Sequence, residues 1–582
     1  MTVFKKIILI LASLMAVLIF AFVFYFRILQ SFFTGSDTLW QIDDSRIRSI
    51  HDFFRIVSEP QLGHRLDIGG GIMYRPLTSL LSSADYALWG SNPFGYHLVD
   101  LLLHLLAVML LFVVISHLVK SRFAAGIGAF VFLVHPAVAS SLSSSIGAGD
   151  ILMTVLFLAS FYAFLRYFDS LKKVMMLASL GFYLLALFAK ETTVVLWLLM
   201  FVYVLLFQSR ENGFKSRVIA SIRKIWMFAA LAAGFFILRL GVLNGMGGYK
   251  HESPGLAGMV EASLHICRET FLGLLWSPSF LGTLSLGQMR VRILVVFLLL
   301  ASLTVYFFSL YLIILFIQKL QSTLVACLSL AAIVLASGVQ ILRAPDLSYW
   351  TILQNLMLMR WVVLVAMLAG SSLIIYHFKP ARIIHYLKWN KDANVLIFLV
   401  FWIMLPLALS VITQTYSAHN EYLIAAPFCG LVAYVFTQLF AIKKEPDKRR
   451  LAAVSLASRN FCLLSIALIF SIIFVSAFAE INAQSTYQNS RLFLQKVSSA
   501  AAALPKSSQI DIYNFPNAAF FPGFSRNFND YEIKTWLDIT FPNKQLSVVI
   551  VSSDGKSTFP KNLTLIPLKE DSHHIGLFSR RK

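Results

Sequence analysis

The sequence predicts a polytopic membrane protein that is mainly α-helical. Of its 582 residues, 58% are hydrophobic and only 13% are charged, whereas soluble domains are about 45–50% apolar and about 25% charged. A soluble fold could not cover so much apolar surface with so few polar side chains. The apolar residues also form long runs, which favours membrane-spanning helices over one buried core.

Each predicted span is a run of roughly 17–25 mainly apolar residues, the length of a helix that crosses a bilayer. The first run follows a short basic segment and is too long for the apolar core of a signal peptide, so we expect it to be retained. We predict about thirteen spans, at 7–28, 97–118, 123–144, 150–168, 173–189, 192–208, 225–243, 292–317, 323–342, 354–377, 394–414, 421–441 and 460–480.

The distribution of Lys and Arg predicts the orientation of these spans. Basic residues concentrate in alternate short connections, such as 210–224, 379–391 and 443–450, and such connections face the cytoplasm. We therefore expect a cytoplasmic N-terminus and, after an odd number of spans, an extracytoplasmic C-terminus. The net charge of +21 is scattered between spans, so it indicates contact with anionic membrane lipids and not with nucleic acid.

The chain is expected to form two domains, a transmembrane domain over 1–480 and a small extracytoplasmic α/β domain over 481–582. Alternating apolar residues at 509–513 and 546–551 predict strands, and a helix is expected near 527–538. A tail of about 100 residues is long enough for a domain of its own.

The first outer segment, 29–96, is expected to contain a helix that lies in the membrane interface. Its apolar residues between Ile42 and Val57 recur at near-helical spacing, and Arg46, Arg48 and Arg55 stand between them. This pattern suits a helix with its apolar face turned towards the lipid.

Several common kinds of site have no support in the sequence. The four cysteines form no CxxC pair, and the thirteen histidines show no HExxH spacing, so no metal site is predicted. A Gly-rich phosphate loop between a strand and a helix is also lacking, which argues against nucleotide hydrolysis.

Two adjacent acids, Asp43 and Asp44, follow the first span by about a dozen residues. Neighbouring carboxylates raise each other's pKa, and one of them can serve as a general base if a partner or a cation holds it. They are candidate catalytic residues. The alternative is a solvated turn in which both residues cap helices.

Polar residues near the predicted outer ends of spans are the candidate substrate-binding residues. Charges at such depth are costly and are often functional. Arg75 offers a planar fork for phosphate. The alternatives are lipid-headgroup contact for the cations, neutralisation of Lys190 by Glu191, satisfied hydrogen bonds for the buried groups, and a helix cap for Asp150. The candidates are Tyr74, Arg75, His97, Asp100, His135, Asp150, Lys190, Glu191, Arg239 and Arg360.

Taken in order along the chain, these motifs resemble those of the GT-C superfamily of polytopic glycosyltransferases. The resemblance is greatest to bacterial relatives of the transmembrane O-mannosyltransferases that carry TPR repeats, and to the broader protein O-mannosyltransferase and aminoarabinose transferase type. It covers about residues 36–200, and the tail shows no TPR period. The motifs are Asp43-Asp44, Tyr74-Arg75-Pro76-Leu77, the segment from Gly95 to His104, His135-Pro136, Gly147-Ala148-Gly149-Asp150 and Lys190-Glu191.

The resemblance implies an inverting transfer of sugar from a polyprenyl-phosphate-linked donor at the outer face of the membrane. It implies a GT-C-like helical bundle in a bacterial inner (plasma) membrane, with Asp43 favoured over Asp44 as the base. The acceptor would be a glycan, a lipid or a protein. No cofactor is obligatory, although the Asp pair could hold a divalent cation.

Three other functions remain as alternatives. An O-antigen ligase or polymerase would place its key groups in a large late outer loop. A flippase or another transporter of lipid-linked sugars would favour internally repeated halves with broken helices. The third alternative is a non-catalytic assembly factor derived from a glycosyltransferase.

Overall fold

The structure is a computed structural model of the chain, and in the residues it describes the protein is mainly helical. It describes residues 3–33, 36–61, 73–142, 145–208, 214–245, 247, 256–274, 391–414, 418–441, single residues and short stretches between 473 and 506, and then 508–513, 530–551, 564–567 and 574–581. The main hydrophobic core joins the long helices.

Short helices follow the first long one and lead into the bundle. Helix α4 begins at a capping box, because the side chain of Ser49 accepts from the backbone N–H of Asp52 and the Asp52 carboxylate accepts from that of Ser49. The first five helices are α1 (Val3–Phe24), α2 (Phe26–Leu29), α3 (Ser36–Asp44), α4 (Ile50–Ser58) and α5 (Pro76–Trp89).

The bundle itself is built from long apolar helices. Asn92 caps the first of them, and Pro93 occupies the first helical position, where the missing N–H costs nothing. The helices are α6 (Pro93–Val119), α7 (Arg122–Leu133), α8 (Pro136–Leu142), α9 (Ser145–Ser170), α10 (Lys173–Ala189), α11 (Val195–Tyr203), α12 (Phe214–Leu243), α13 (Leu256–Gly273), α14 (Lys391–Ile412) and α15 (Glu421–Ala441).

Short 3₁₀ and π turns extend helices α11 and α15. A 3₁₀ turn at Glu191–Val194 precedes α11, a π turn at Val204–Gln208 continues it, and a 3₁₀ turn at Ala418–Asn420 precedes α15. Among the described residues, five helices are long and apolar enough to cross a membrane, or six if the bent pair α7 and α8 counts as one span. The prediction of a multi-pass membrane protein is therefore confirmed in its general form.

The described C-terminal residues form a mixed sheet and one helix. The strands are β1 (Ser508–Tyr513), β2 (Ser547–Val551), β3 (Thr564–Pro567) and β4 (His574–Arg581), and helix α16 (Asp530–Thr540) connects β1 to β2. The sheet order is β2-β1-β4-β3, with β1 and β2 parallel and the other pairs antiparallel. Strands β1 and β2 and helix α16 lie where the sequence predicts two strands and a helix, whereas β3 and β4 were not predicted. The α/β domain and its boundary at 481 stay predictions.

Two of the predicted helices are divided in the structure. The predicted span 123–144 bends by 48° between α7 and α8, because Pro136 cannot donate the hydrogen bond that would continue the helix. The single interfacial helix expected between Ile42 and Val57 is instead the end of α3 and all of α4. Ser49 starts the second helix with its capping box, which explains the division.

Four predicted spans, 292–317, 323–342, 354–377 and most of 460–480, lie outside the described residues. The count of thirteen spans therefore stays a prediction.

Candidate active site

The acidic pair ends helix α3, and an arginine holds each carboxylate. Asp43 forms an ion pair with Arg46, three residues further on. Asp44 pairs with Nη1 of Arg55 at 3.0 Å, and Nη2 of Arg55 donates to the backbone carbonyl of Asp44. The side chains of Asp43 and Asp44 are 12% and 5% exposed. These carboxylates are thus nearly buried and held by cations.

The position of the pair in its helix rules out the capping alternative. Helix-capping acids stand at the N-terminus, where the helix dipole is positive. Asp43 and Asp44 are instead the last two residues of α3, where the dipole is negative and a carboxylate costs stability. Helix stability therefore does not explain two acids here, and Arg46 and Arg55 offset their cost.

A cavity of about 700 Å³ opens beside the pair. The first outer segment supplies one side of its lining, and the C-terminal residues supply the other. The four acids and four cations of the lining balance in formal charge. The lining consists of Asp43, Asp44, Arg46, Arg48, Asp52, Arg55, Lys534, Asp538, Pro542, Gln545, Leu546 and Ser547.

Asp52 combines a place in this lining with its role at the start of α4. The backbone N–H of Arg48 donates to its carboxylate and is the main reason why the pKa of Asp52 is lowered, with further hydrogen bonds from Ser49. Asp52 therefore stays negatively charged beside Arg48 and Arg55. Helix α4 is fixed at its N-terminus while Arg55, one turn later, holds Asp44.

A second cluster gathers three of the predicted substrate-binding residues. Arg75 approaches Glu191 with two nitrogens, Nε to Oε2 at 3.0 Å and Nη2 to Oε1 at 2.7 Å. Nη1 of Arg239 lies 3.6 Å from Oε2 of the same carboxylate. One acid is thus shared by two guanidinium groups. Nη1 of Arg239 is buried and has no hydrogen-bond partner among the described residues.

Lys190 lies beside this cluster and has its own acidic partner. Its Nζ donates to Asp150 at 2.6 Å and to the side-chain oxygen of Asn420 at 3.0 Å. Two of the alternatives to a substrate-binding role, neutralisation of Lys190 by Glu191 and a helix cap at Asp150, are therefore wrong. Glu191 does not neutralise Lys190, because the ammonium reaches across to α9 while Glu191 turns towards Arg75. Asp150 does not cap a helix, since α9 already begins at Ser145.

The fold brings these side chains together by joining α5 to the end of α10. Arg75 precedes Pro76, which takes the first position of α5. The hydroxyl of Thr78 donates to the carbonyl of Ala189 at 2.8 Å and so satisfies one of the free carbonyls at the end of α10. Lys190 and Glu191 follow directly.

Tyr74 fixes the chain just before α5. Its hydroxyl donates to the carbonyl of Val57 at 2.7 Å, and its ring stacks on that of Phe235 with 28° between the ring planes and 6.4 Å between centroids. Burial raises the pKa of Tyr74, so the hydroxyl stays protonated and donates. Because Arg55 and Val57 both belong to α4, this helix connects the acidic pair to the Arg75 cluster.

Of the predicted residues that the structure describes, only Asp43 and Asp44 line the cavity. Three more, His97, Asp100 and His135, are buried in the bundle. Nδ1 of His97 lies 2.8 Å from the carbonyl of Leu142, and Nε2 of His135 lies 3.0 Å from that of Leu274. Asp100 is buried, and its Oδ1 has no hydrogen-bond partner in the described part of the chain. For His97 and His135 these contacts match the alternative of satisfied buried groups. Arg360 lies outside the described residues.

Four residues in these contacts are absent from the sequence-based candidates. Arg46 and Arg55 hold the acidic pair, Asn420 binds Lys190, and Asp538 accepts from Arg46. The spacing of three residues between Asp43 and Arg46 is a signal that could have identified Arg46. Asn420 and Asp538 are distant in the chain and carry no such signal.

No group of three or more His, Cys, Asp or Glu side chains among the described residues could hold a metal ion. The divalent cation at the acidic pair stays a prediction.

Comparison with known proteins identifies relatives over part of the chain. No protein-family model matches it. Over 190 residues, 32% of this chain, it is 28% identical to the protein O-mannosyl-transferase Tmtc1 of Drosophila melanogaster, and the match covers 22% of that protein. Over 97 residues, 16% of this chain, it is 35% identical to the protein O-mannosyl-transferase TMTC1 of Homo sapiens and covers 11% of it. The chain thus spans less than a quarter of these relatives.

Solved structures give only distant matches. AglB, the oligosaccharyltransferase of Archaeoglobus fulgidus solved with an inhibitory peptide and a dolichol-phosphate, is 13% identical with a TM-score of 0.41, over 94% of this chain and 65% of that chain. ArnT of Cupriavidus metallidurans in its apo state is 12% identical with a TM-score of 0.37, over 97% and 98%. Similarity at this level carries no conclusion of its own.

The resemblance predicted from the sequence is therefore confirmed by sequence similarity, in which identity to the protein O-mannosyl-transferases extends over about a third of the chain.

Proposed function

We propose that this protein is a membrane glycosyltransferase that moves a sugar from a polyprenyl-phosphate-linked donor to an acceptor hydroxyl at the outer face of the membrane. The observation that carries the proposal is the acidic pair. Two carboxylates line a cavity at a helix end where they cost stability, and an arginine holds each of them. The similarity to O-mannosyl-transferases supports the same reaction class.

In the proposed reaction Asp43 is the general base. Its carboxylate takes the proton of the acceptor hydroxyl while that oxygen forms a bond to the anomeric carbon. The bond between this carbon and the phosphate oxygen breaks on the opposite side, and the lipid phosphate leaves with the electron pair. Attack and departure on opposite sides invert the anomeric centre.

The second cluster is suited to the charge that develops on the leaving phosphate. Together with the neighbouring pair of Lys190 and Asp150, it contains three cations, Arg75, Lys190 and Arg239, and two acids, Asp150 and Glu191, so one positive charge is in excess. Nη1 of Arg239 has no hydrogen-bond partner in the described structure, and it could donate a hydrogen bond to a phosphate oxygen. Positioned cations that meet developing charge are a major source of rate acceleration.

The energy for transfer is stored in the bond between sugar and lipid phosphate. Neither ATP nor a metal ion is then obligatory, although a divalent cation could still bind the acidic pair. The acceptor is a glycan, a lipid or a protein with a free hydroxyl. The relatives are named as transferases, which favours group transfer over transport by a flippase.

The substitution Asp43→Asn tests the proposal. The amide keeps the shape of the side chain but cannot accept the proton, so we expect transfer to fall by about 10²–10⁴-fold. Transfer is measured in reconstituted vesicles as movement of labelled sugar from polyprenyl phosphate to total acceptor. Asp169→Asn is the matched control, because Asp169 forms an exposed pair with Arg166 far from the cavity lining. Full activity of Asp43→Asn would refute the assignment.

A further inference from the structure

Arg46 connects the acidic pair to a helix that lies almost 500 residues later in the chain. Its Nη2 binds the carboxylate of Asp43, and its Nη1 donates at 2.9 Å to the backbone carbonyl of Asp538. The guanidinium also lies over the ring of Tyr86, 5.6 Å from its centroid. A guanidinium is planar and presents its donors in fixed directions. The position of the Asp538 carbonyl therefore sets the direction in which Arg46 meets Asp43.

The contact with Asp538 belongs to a cap on helix α16. The last four carbonyls of a helix have no partner within it, and Asp538 and Ile539 lie in the last turn of α16. Arg46 donates to the first of these carbonyls, and the hydroxyl of Tyr86 donates to the second at 3.1 Å. A positive charge at this end also complements the helix dipole. Residues of the first outer segment thus complete a helix of the C-terminal region.

An apolar cluster holds α16 in this place. The ring of Trp536 meets that of Phe32 edge to face, with 5.1 Å between centroids. Leu39 and Ile42, on the helix that ends in the acidic pair, belong to the same buried cluster as Ile533 and Leu537. Helix α3 therefore packs directly on α16, and the two helix ends that Arg46 joins are fixed relative to each other.

The cavity is completed by the same unit. Asp538, Gln545 and Ser547 line it together with the acidic pair. The hydroxyl of Ser547 is buried and has no hydrogen-bond partner among the described residues. Part of the cavity lining is therefore formed by the region that Arg46 caps.

We propose that Arg46 is a positioning residue through which the docking of α16 sets the orientation of Asp43. This inference rests on the proposed function, in which Asp43 is the base. It adds that catalysis depends on the C-terminal region through one guanidinium. When α16 is docked, Arg46 is held between Asp538 and Asp43, and the carboxylate faces the cavity. When α16 is displaced, Arg46 loses its anchor and the carboxylate is no longer fixed.

A double-mutant cycle between Arg46→Ala and Trp536→Ala tests the proposal. We expect each single variant to lower kcat by about 10–100-fold, since a misplaced catalytic group costs this much, with the KM for the lipid-linked donor within about twofold of the wild-type value. Because both substitutions act through the same contact, the kcat of the double variant should equal that of the less active single variant. The proposal would be overturned if the fold-loss in kcat of the double variant equalled the product of the two single losses.

A less disruptive substitution, Tyr86→Phe, replaces Trp536→Ala in the cycle if Trp536→Ala does not fold. Tyr86→Phe removes only the hydroxyl that caps Ile539 and keeps the ring beneath Arg46. It should lower kcat less than Trp536→Ala, and its loss should also disappear in the Arg46→Ala background. Arg166→Ala is the control for loss of an arginine, because Arg166 and Asp169 form an exposed pair with the same spacing of three residues. It should leave kcat unchanged.

Hydrogen exchange gives a readout that does not depend on activity. The amides of Ser45 and Arg46 bond to the carbonyls of Gln41 and Asp43 at the end of α3. Displacing α16 with Trp536→Ala should speed their exchange when Arg46 is present and have less effect in Arg46→Ala. Equal effects in both backgrounds would overturn the proposal. If the wild-type protein transfers no sugar, the proposed function fails while this exchange cycle still decides whether Arg46 couples the two helices.

Discussion

At the scale of single residues, the candidate site is a set of charges that hold one another. Asp43 and Asp44 have Arg46 and Arg55, Glu191 has Arg75 and Arg239, and Lys190 has Asp150. Buried charges without partners would cost far more than these pairs. The pairs also keep each side chain in one orientation, which a catalytic or binding group requires. Replacing one member therefore also changes the position of its partner.

Asp85 is a buried acid for which a pH effect can be predicted. It is only 4% exposed, and burial raises its pKa to about 7. An unfolded chain has a carboxyl pKa of about 3.9, so the folded protein binds this proton more tightly. Stability must then fall as pH rises from about 4 to about 7, on the order of a few kcal/mol for this group. Asp100 and Tyr96 interact electrostatically with it.

The variant Asp85→Asn removes this dependence. At pH 8 it should unfold at a higher temperature than the wild-type protein, because no charge has to be buried. The difference should shrink towards pH 5, where the wild-type carboxyl is largely protonated. Thermal unfolding in detergent at several pH values measures it, and a difference that does not change with pH would contradict the assignment.

The sequence identified the types of these residues better than their partners. Asp43, Arg75 and Lys190 stood out because charges are rare in this chain and lie next to predicted spans. Spacing along the chain predicted that Glu191 would neutralise Lys190, yet the ammonium of Lys190 reaches Asp150, 40 residues away in sequence. Such pairings depend on how α9, α10 and α12 pack, and local sequence holds no information about that.

At the scale of elements, close helix contacts depend on small residues. Helix α7 carries Gly126 and Gly128, and the second lies against α15. A Cβ atom at Gly128 would stand 2.6 Å from the backbone carbonyl oxygen of Cys429 and 3.0 Å from the Cβ of Ala433. A backbone atom cannot rotate aside, so the two helices approach this closely only with glycine at that position.

We therefore expect Gly128→Ala to lower stability by about 1–3 kcal/mol, the usual cost of overpacking. Gly126→Ala is a matched control two residues away on the same helix, where a Cβ atom would meet nothing within 4 Å. Thermal unfolding of both variants in one detergent measures the difference. Equal unfolding temperatures would show that α7 and α15 are not packed as described.

Most described elements were predictable, because a helix or strand leaves a local signal. Apolar runs located α6, α9, α10 and α14, and alternating residues located β1 and β2. The boundary between α3 and α4 was missed because their apolar residues keep a near-helical spacing across the break. The capping box of Ser49 and Asp52 sets this boundary, and a serine followed three residues later by an acid is the local signal for it.

At the scale of the whole molecule, residues next to the predicted outer connections contact one another. Arg75, Asp150, Lys190 and Asn420 lie next to connections that the basic residues assign to the outer face. The side chain of Arg75 meets Glu191, and those of Asp150 and Asn420 meet Lys190, the preceding residue in the chain. Such a meeting requires these connections to share one end of the bundle. The direction of that end relative to the cytoplasm rests on the distribution of Lys and Arg alone.

Reporter fusions test this direction. Alkaline phosphatase is active only outside the cytoplasm, so a fusion after Lys582 should be active and a fusion within the connection 209–213 should be inactive. A cytoplasmic reporter at the same two positions should give the reverse pattern. Activity of alkaline phosphatase at 209–213 would invert the topology and place the acidic pair on the wrong side for the proposed donor.

The carboxylate of Glu191, held between Arg75 and Arg239, has a consequence for turnover under the proposed function. An incoming lipid phosphate meets cations that already have an internal anion, so it competes with that anion for their hydrogen bonds. After transfer, the carboxylate of Glu191 pairs again with Arg75 and Arg239 and displaces the polyprenyl phosphate product. The two guanidinium groups therefore always have an anionic partner. Product inhibition by free polyprenyl phosphate should be weak for this reason.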